Sequence, residues 1–406
     1  MRFDIHLRQD LKEQLLHLAD QMKDWEDSPQ FDKRDREEIS QRITAFAHTT
    51  RVQSLTIAGV DGSGDYPSIA YADSFVHVAV AQATIYRSDA NCGLRELPPN
   101  APSILYVAWF AEHEGQRRES WDRAFSALAG EPIDSVLQRS DYASIKMGIT
   151  RKTVSISRLR DTLVRPHASD SGNIAIQLRS LGELGAALRT LKHAEELKYL
   201  LVDGTLSLPF ASTRDESLFH EHLKRLCCVE AQLRGVGFFA LSKSHGFPSI
   251  EALEEIARES LGVPERQRAE HWFLRLPVPD HDQWKFPLAD GRQIPPPGAV
   301  TYLVRFHRNV PVLRLDMDVE FWRSHVHRNT EEETRENERR IFQELDYSSH
   351  DQRCFGYPYP IKAGHDRASL TASERTSLRK QIVDAAVAAG LRRSLFRDAS
   401  MATGHQ

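Results

Sequence analysis

Cysteine is scarce in this 406-residue sequence: Cys92, Cys227, Cys228 and Cys354 are all there is, and no two stand at C-x-x-C spacing. That excludes a disulfide framework and gives no structural zinc motif, so reduced, buried thiols are expected. Long apolar runs are lacking too: hydrophobic residues make up 40%, charged residues 27%, and mean hydropathy is −0.48. Nothing in that profile is long enough to span a bilayer. The opening Met1-Arg-Phe-Asp-Ile-His-Leu-Arg mixes acid and base without an apolar signal core, which predicts a cytoplasmic protein. Excess charge of one sign is absent as well. At a net charge of −4 there is no global attraction to nucleic acid, so phosphate binding must come from local patches or metal ions. One basic patch is visible, Arg151, Lys152, Arg158, Arg160 and Arg165, interrupted by Asp161; it reads equally as a solvated face or a DNA contact. There is no Walker A sequence, which argues against ATP hydrolysis, and no Gly-x-Ser-x-Gly elbow for a Ser-His-Asp hydrolase.

What is present is a repeated hydrophobic strand that runs into Asp-Gly. It occurs as Leu55-Thr-Ile-Ala-Gly-Val-Asp61-Gly-Ser63 and as Tyr199-Leu-Leu-Val-Asp203-Gly-Thr205, with Gly356-Tyr-Pro-Tyr-Pro-Ile-Lys-Ala-Gly-His365 far downstream. Around these motifs the chain divides into an N-terminal helical arm (1–50), an α/β domain with insertions (51–370), and a C-terminal helix and tail (371–406). Leu7, Leu11, Leu15, Leu18, Met22 and Trp25 recur at helical spacing, and Ile39, Ile43 and Phe46 predict a second helix. Residues 54–88 predict antiparallel strands separated by a turn near 61–68, and 104–110 a short strand. Leu181–Lys198 reads as a helix, Tyr199–Val202 as a buried strand, 213–234 as a helix stopped by Gly235, and Val236–Leu241 as a second strand. That unit makes two parallel neighbours with a right-handed crossover, which places Asp203 and Lys243 in one crevice. Residues 277–298 read as a surface loop, Val300–Phe306 and Val310–Leu315 as strands, and Thr371 with Glu374 as a capping box opening the last helix.

Two-metal phosphodiester chemistry needs several carboxylates around ions ~3.5–4 Å apart. Asp61 and Asp203, each where a strand hands over to glycine, suit that role, and oxygen ligands suit Mn²⁺ or Mg²⁺. A helix returning to a strand runs antiparallel to it, so Glu183 near the helix start approaches Asp203 whereas Glu195 and Glu196 lie at the far end. Lys243 reads equally as a phosphate contact and as a strand-end lysine in solvent, Asp316 is placed to complete the acidic group in competition with Asp318 and Glu320, and His365 to bind metal or carry a proton. His220 and His222 diverge on a helix; His325 and His327 would share a strand face but lack a further ligand.

In these four stretches, Asp61-Gly-Ser63, Leu201-Val-Asp203-Gly-Thr205-Leu206, Leu313-Arg-Leu-Asp316 and Gly356-Tyr-Pro-Tyr-Pro with His365, the chain resembles the NurA nuclease family over about residues 55–370. The resemblance implies an RNase H-like mixed sheet, akin to the nuclease core of Argonaute proteins, flanked by helices. It also implies Mn²⁺-dependent DNA cleavage with 5′ to 3′ exonuclease and single-strand endonuclease activity, a homodimer, and partnership with the hexameric ATPase HerA in repair or antiphage defence. By the same resemblance Asp61, Glu183, Asp203 and Asp316 are metal ligands, His365 a ligand or proton-transfer group, and Lys243 a phosphate contact. Thr205 stands where the family has Ser, and Asp316 where it has Glu, a shortening by one methylene. Two other readings remain: a catalytically weak scaffold binding the ATPase and DNA, and an enzyme cutting RNA/DNA hybrids.

Overall fold

The computed structural model describes residues 9–26, 31–64, 68–72, 74–90, 93–98, 103–110, 114–139, 171–206, 221–245, 247, 249–278, 281–286 and 299–398. The basic patch between Arg151 and Arg165, Cys92 and His220 lie outside them. The strands are β1 (Thr44–Ala45), β2 (Thr56–Gly64), β3 (Ile69–Tyr71), β4 (Ser74–Asp89), β5 (Gly93–Leu97), β6 (Ile104–Phe110), β7 (Tyr199–Asp203), β8 (Gly237–Ser242), β9 (Trp272–Arg275), β10 (Val300–Arg305), β11 (Leu313–Met317), β12 (His350–Asp351), β13 (Cys354–Phe355) and β14 (Phe396–Asp398). The helices are α1 (Gln9–Glu26), α2 (Lys33–Ser40), α3 (Glu114–Ala129), α4 (Ile133–Arg139), α5 (Ser171–His193), α6 (Glu221–Leu233), α7 (Ile250–Ser260), α8 (Glu331–Ser348), α9 (Tyr359–Ala368) and α10 (Ala372–Ala388).

A 12-stranded mixed sheet organises the molecule, in the order β1-β9-β10-β11-β8-β7-β2-β4-β3-β14, with β5 and β6 also pairing with β4. Only β2, β7 and β8 run parallel to one another, joined by helical crossovers; every other pairing in the sheet is antiparallel. The alternation of side chains along β2 sorts the two faces. Ala58 and Val60 join Leu184, Leu188, Leu226 and Phe238 beneath α5 and α6, while Ile57 joins Leu241, Leu315, Tyr357 and Ile361 beneath α8 and α9. Each fully buried Val, Leu, Ile or Phe in these layers contributes roughly 1.5–3 kcal/mol. A third cluster, with Ile39, Ile256, Trp272 and Leu303, fastens α2 and α7 to the β9–β10 end.

The β7–α6–β8 unit has the expected parallel strands, and of the helix expected over 213–234 the part from Glu221 to Leu233 is formed, with Gly235 at a left-handed φ of 66° beyond its end; 213–220 lie outside the described residues. The capping box at Thr371 and Glu374 is formed. Four expectations need correction. Isoleucine 39 lies on α2, but the helix stops at Ser40, and Thr44–Ala45 instead pairs with β9 because Phe46 packs against Phe273 and Phe342. The helix predicted from Leu181 begins ten residues earlier, at Ser171, and ends at His193. Asp61 does not close its strand: β2 continues through Gly64, paired with β4. Within the supposed loop at 277–298, Trp284 and Phe286 are buried against the third cluster. After α10 the chain returns to the sheet as β14 beside β3. Cys227 and Cys228 are buried free thiols and Cys354 is a half-buried one. Among the described residues no helix is long and apolar enough to cross a membrane.

Candidate active site

Parallel pairing of β2 and β7 runs Ile57 with Tyr199 through Val60 with Val202, which brings Asp61 and Asp203 into the next register position on neighbouring strands. Strand spacing of ~4.8 Å sets the scale of their separation, and both side chains belong to the face covered by α9. There β7 ends, with Gly204 at a φ of 131°, while β2 continues; the result is a notch in the sheet edged by both carboxylates. Asp61 is held firmly. Its Oδ1 accepts the Gly62 N–H at 2.7 Å, and Oδ2 lies 3.0 Å from His365 Nδ1 on α9. Helix α9 reaches that close because Gly364 has no side chain: a Cβ there would stand 3.1 Å from the Asp61 main-chain nitrogen. Gly59 does the same lower down, where a Cβ would collide with the Pro360 carbonyl carbon at 2.2 Å.

Glu183 enters from the opposite face. It sits mid-helix on α5, and it reaches the notch across Gly62, where a Cβ would meet Glu183 Cγ at 2.8 Å and Oε1 at 2.9 Å. Burial pushes its carboxyl up to about 8; the Arg179 guanidinium, 3.4 Å away, opposes that, and the charges of Asp61 and Asp203 add to it. Asp203 is likewise raised, by loss of solvent and then by Asp61, against the pull of Lys243, Arg179 and His365. Lys243 follows β8 and places its Nζ 3.8 Å from the centre of the Tyr357 ring. Tyr357 is buried, its hydroxyl has no hydrogen-bond partner among the described residues, and burial followed by the charges of Asp203, Asp61 and Glu183 raises its pKa. Asp61, Glu183, Asp203, Lys243 and His365 therefore converge.

Asp316 does not join them. It pairs with Thr301 on one side and Ala240 on the other, which puts it in the row of Val202 and Val60, one position out of step with Asp61 and hence on the other face. Its carboxylate is fully buried and spoken for: Arg314 grips both oxygens at 2.9 Å, Thr301 Oγ1 donates to one at 2.8 Å, and the Leu206 N–H donates to the other at 3.0 Å. Its competitors are also engaged, Asp318 with Arg225 and the Phe321 N–H, and Glu320 with Arg323. His325 and His327 lie in and just after a π-helical turn, Trp322–Val326, rather than on a strand, and stack on Phe321 and Trp322. Sequence reasoning missed Arg179 and Tyr357. The first carried a signal, four residues before Glu183 on one helix face; the second stood inside the Gly356-Tyr-Pro-Tyr-Pro string.

Three carboxylates, one of them raised by burial, and an imidazole form a donor set that suits a hard divalent cation such as Mn²⁺ or Mg²⁺. No protein-family model and no curated protein matches the chain. Among solved structures it is similar to the NurA nuclease from Sulfolobus solfataricus, 14% identical over 94% of this chain and 96% of that one, with a TM-score of 0.44. A NurA structure bound to dAMP and manganese is 12% identical over 96% and 99%, at 0.40. Endonuclease V from Bacillus subtilis is 10% identical over 85% and 91%, at 0.32.

Proposed function

We propose that this chain is a divalent-metal-dependent deoxyribonuclease whose active site is the notch between β2 and β7. The observation that carries the reading is the meeting of Asp61 and Asp203, neighbours in register on parallel strands, with Glu183, which crosses from the other face at Gly62. In this reading Asp61, Glu183 and Asp203 hold Mn²⁺ or Mg²⁺, which supplies Lewis-acid charge for phosphodiester cleavage when bound. The residues themselves do the rest. Asp61 Oδ2 accepts a hydrogen bond from the Nδ1–H of His365 and so fixes its tautomer, leaving Nε2 of this half-exposed imidazole to accept a proton from attacking water. Lys243, backed by the Tyr357 ring, offers its charge to the scissile phosphate. Asp316 serves the fold rather than the reaction.

The sequence motifs shared with the NurA family support DNA as substrate, two ions per site, an RNase H-like core, 5′ to 3′ exonuclease and single-strand endonuclease activity, a homodimer, and a HerA-like ATPase as partner. The test is cleavage of labelled single- and double-stranded DNA with Mn²⁺ by the wild type, Asp61→Ala and Asp203→Ala. Loss in both variants supports the assignment, and equal cleavage by all three rejects it.

A further inference from the structure

Among the described residues, His48, His271, Asp346 and His350 form a group whose ligand atoms all lie within 4.8 Å of one another, and none of them belongs to the acidic notch. They come from three separate places: the chain just after β1, the residue preceding β9, and the end of α8 with the start of β12. From these we propose a second metal centre, a structural zinc site that ties these segments together.

The donor set is the first reason. Three imidazoles and one carboxylate make a complete set of four nitrogen and oxygen ligands, the number and kind that a closed tetrahedral zinc site uses. Spacing is the second. Zinc–ligand bonds of ~2.0–2.1 Å put tetrahedral ligands roughly 3.3 Å apart. From Asp346 Oδ1, His350 Nδ1 lies at 3.0 Å and His271 Nε2 at 3.4 Å, while His48 Nδ1 lies 2.9 Å from Oδ2 of the same carboxylate. The third reason is a shortfall at the centre of the group: His48 Nδ1 bonds Asp346 Oδ2 and His350 Nδ1 bonds the Asp346 carbonyl, but two further atoms are left over. Asp346 is completely buried, yet its Oδ1, like His271 Nε2, makes no aligned hydrogen bond despite those short approaches. Buried polar atoms are nearly always paired, so a buried carboxylate oxygen and an imidazole nitrogen left over at one point are arranged as ligands are. Supporting contacts orient the group: the Thr49 N–H donates to Asp346 Oδ2 at 2.8 Å. His271 meanwhile holds a left-handed φ of 57°, which side-chain-bearing residues rarely adopt, at the point where its ring enters the cluster. His48, with 41% of its side chain exposed, leaves a way in for the ion.

The test uses the full chain, stripped with a chelator and titrated with Zn²⁺ or Co²⁺, read by bound-metal stoichiometry and by the visible absorption bands of tetrahedral cobalt. The wild type is expected to show the tetrahedral cobalt spectrum, and Asp203→Ala to keep it, which separates this centre from the acidic notch. His48→Gln, at the exposed edge of the cluster, should bind zinc about a hundredfold more weakly. A wild type without the tetrahedral spectrum overturns the proposal, as does a His48→Gln variant that binds zinc as tightly as the wild type or an Asp203→Ala variant that loses the site.

Discussion

His365 Nδ1 stands 3.0 Å from Asp61 Oδ2, two residues 304 positions apart in the chain brought within a hydrogen bond by the seating of α9 on β2. If that pair works as an acid–base unit, His365→Gln should lower Mn²⁺-dependent DNA cleavage by about 10²–10⁴-fold while leaving the fold intact, since the imidazole lies half exposed at the mouth of the notch. Cleavage rates at saturating metal, beside circular dichroism, check this; an unchanged rate removes His365 from the reaction.

Gly62→Ala addresses Glu183 without touching its carboxyl. The added methyl would stand 2.8 Å from Glu183 Cγ and must push that side chain out of the notch. A misplacement of ~1 Å typically costs on the order of 100-fold in rate. Kinetics at saturating Mn²⁺ should show a loss of that order, and a variant as active as the wild type would mean Glu183 has no part in catalysis.

For Asp316 the expectation is the reverse. Asp316→Asn leaves Arg314 facing a neutral partner inside the sheet and should destabilise the protein by about 3 kcal/mol in denaturant unfolding. The Mn²⁺ concentration giving half-maximal cleavage should stay within about twofold of the wild type when measured well below the unfolding transition. A large rise would return Asp316 to the metal site.

His77 predicts an acid-sensitive fold. It is fully buried in β4, edge-on to Phe110, with neither ring nitrogen hydrogen-bonded among the described residues, and burial pushes its imidazole down to about 4. The folded state thus disfavours the protonated ring, whereas the unfolded chain protonates it near pH ~6.5. Its stability contribution is whole above that value and falls as pH drops towards the folded value, by up to ~3 kcal/mol. His77→Leu should therefore be less acid-sensitive than the wild type between about pH 7 and about pH 4.5, as urea unfolding at each pH would show; parallel curves would refute it.

Much of this site was readable from the chain alone because strand ends and crossovers obey strict rules. A strand–helix–strand unit fixes handedness and direction, so Asp203 and Lys243 had to share an edge, and the Asp61 strand fell beside them. Glu183 was found for a partly mistaken reason. The helix starts ten residues before the expected point, and what brings a mid-helix carboxylate to the notch is the missing side chain at Gly62. Asp316 could not be placed because a shift of one residue in register reverses the face of every side chain on a strand. Its row is that of Val202 rather than Asp203, a difference that rests on pairings two strands away. The histidine cluster was out of reach for another reason. Only Asp346 and His350, four apart where α8 gives way to β12, share local sequence, and His48 and His271 arrive through tertiary packing.

The laying of α9 across Gly59 and Gly364 has a consequence for biosynthesis. A ribosome releases the β2 carboxylate early and its imidazole only after some three hundred further residues, so the nascent chain carries half of this pair through most of its translation. Until α9 has emerged and docked, Asp61 stands without the imidazole of His365. If the pair acts in cleavage as proposed, the order of synthesis itself keeps the chain inactive until its end is made.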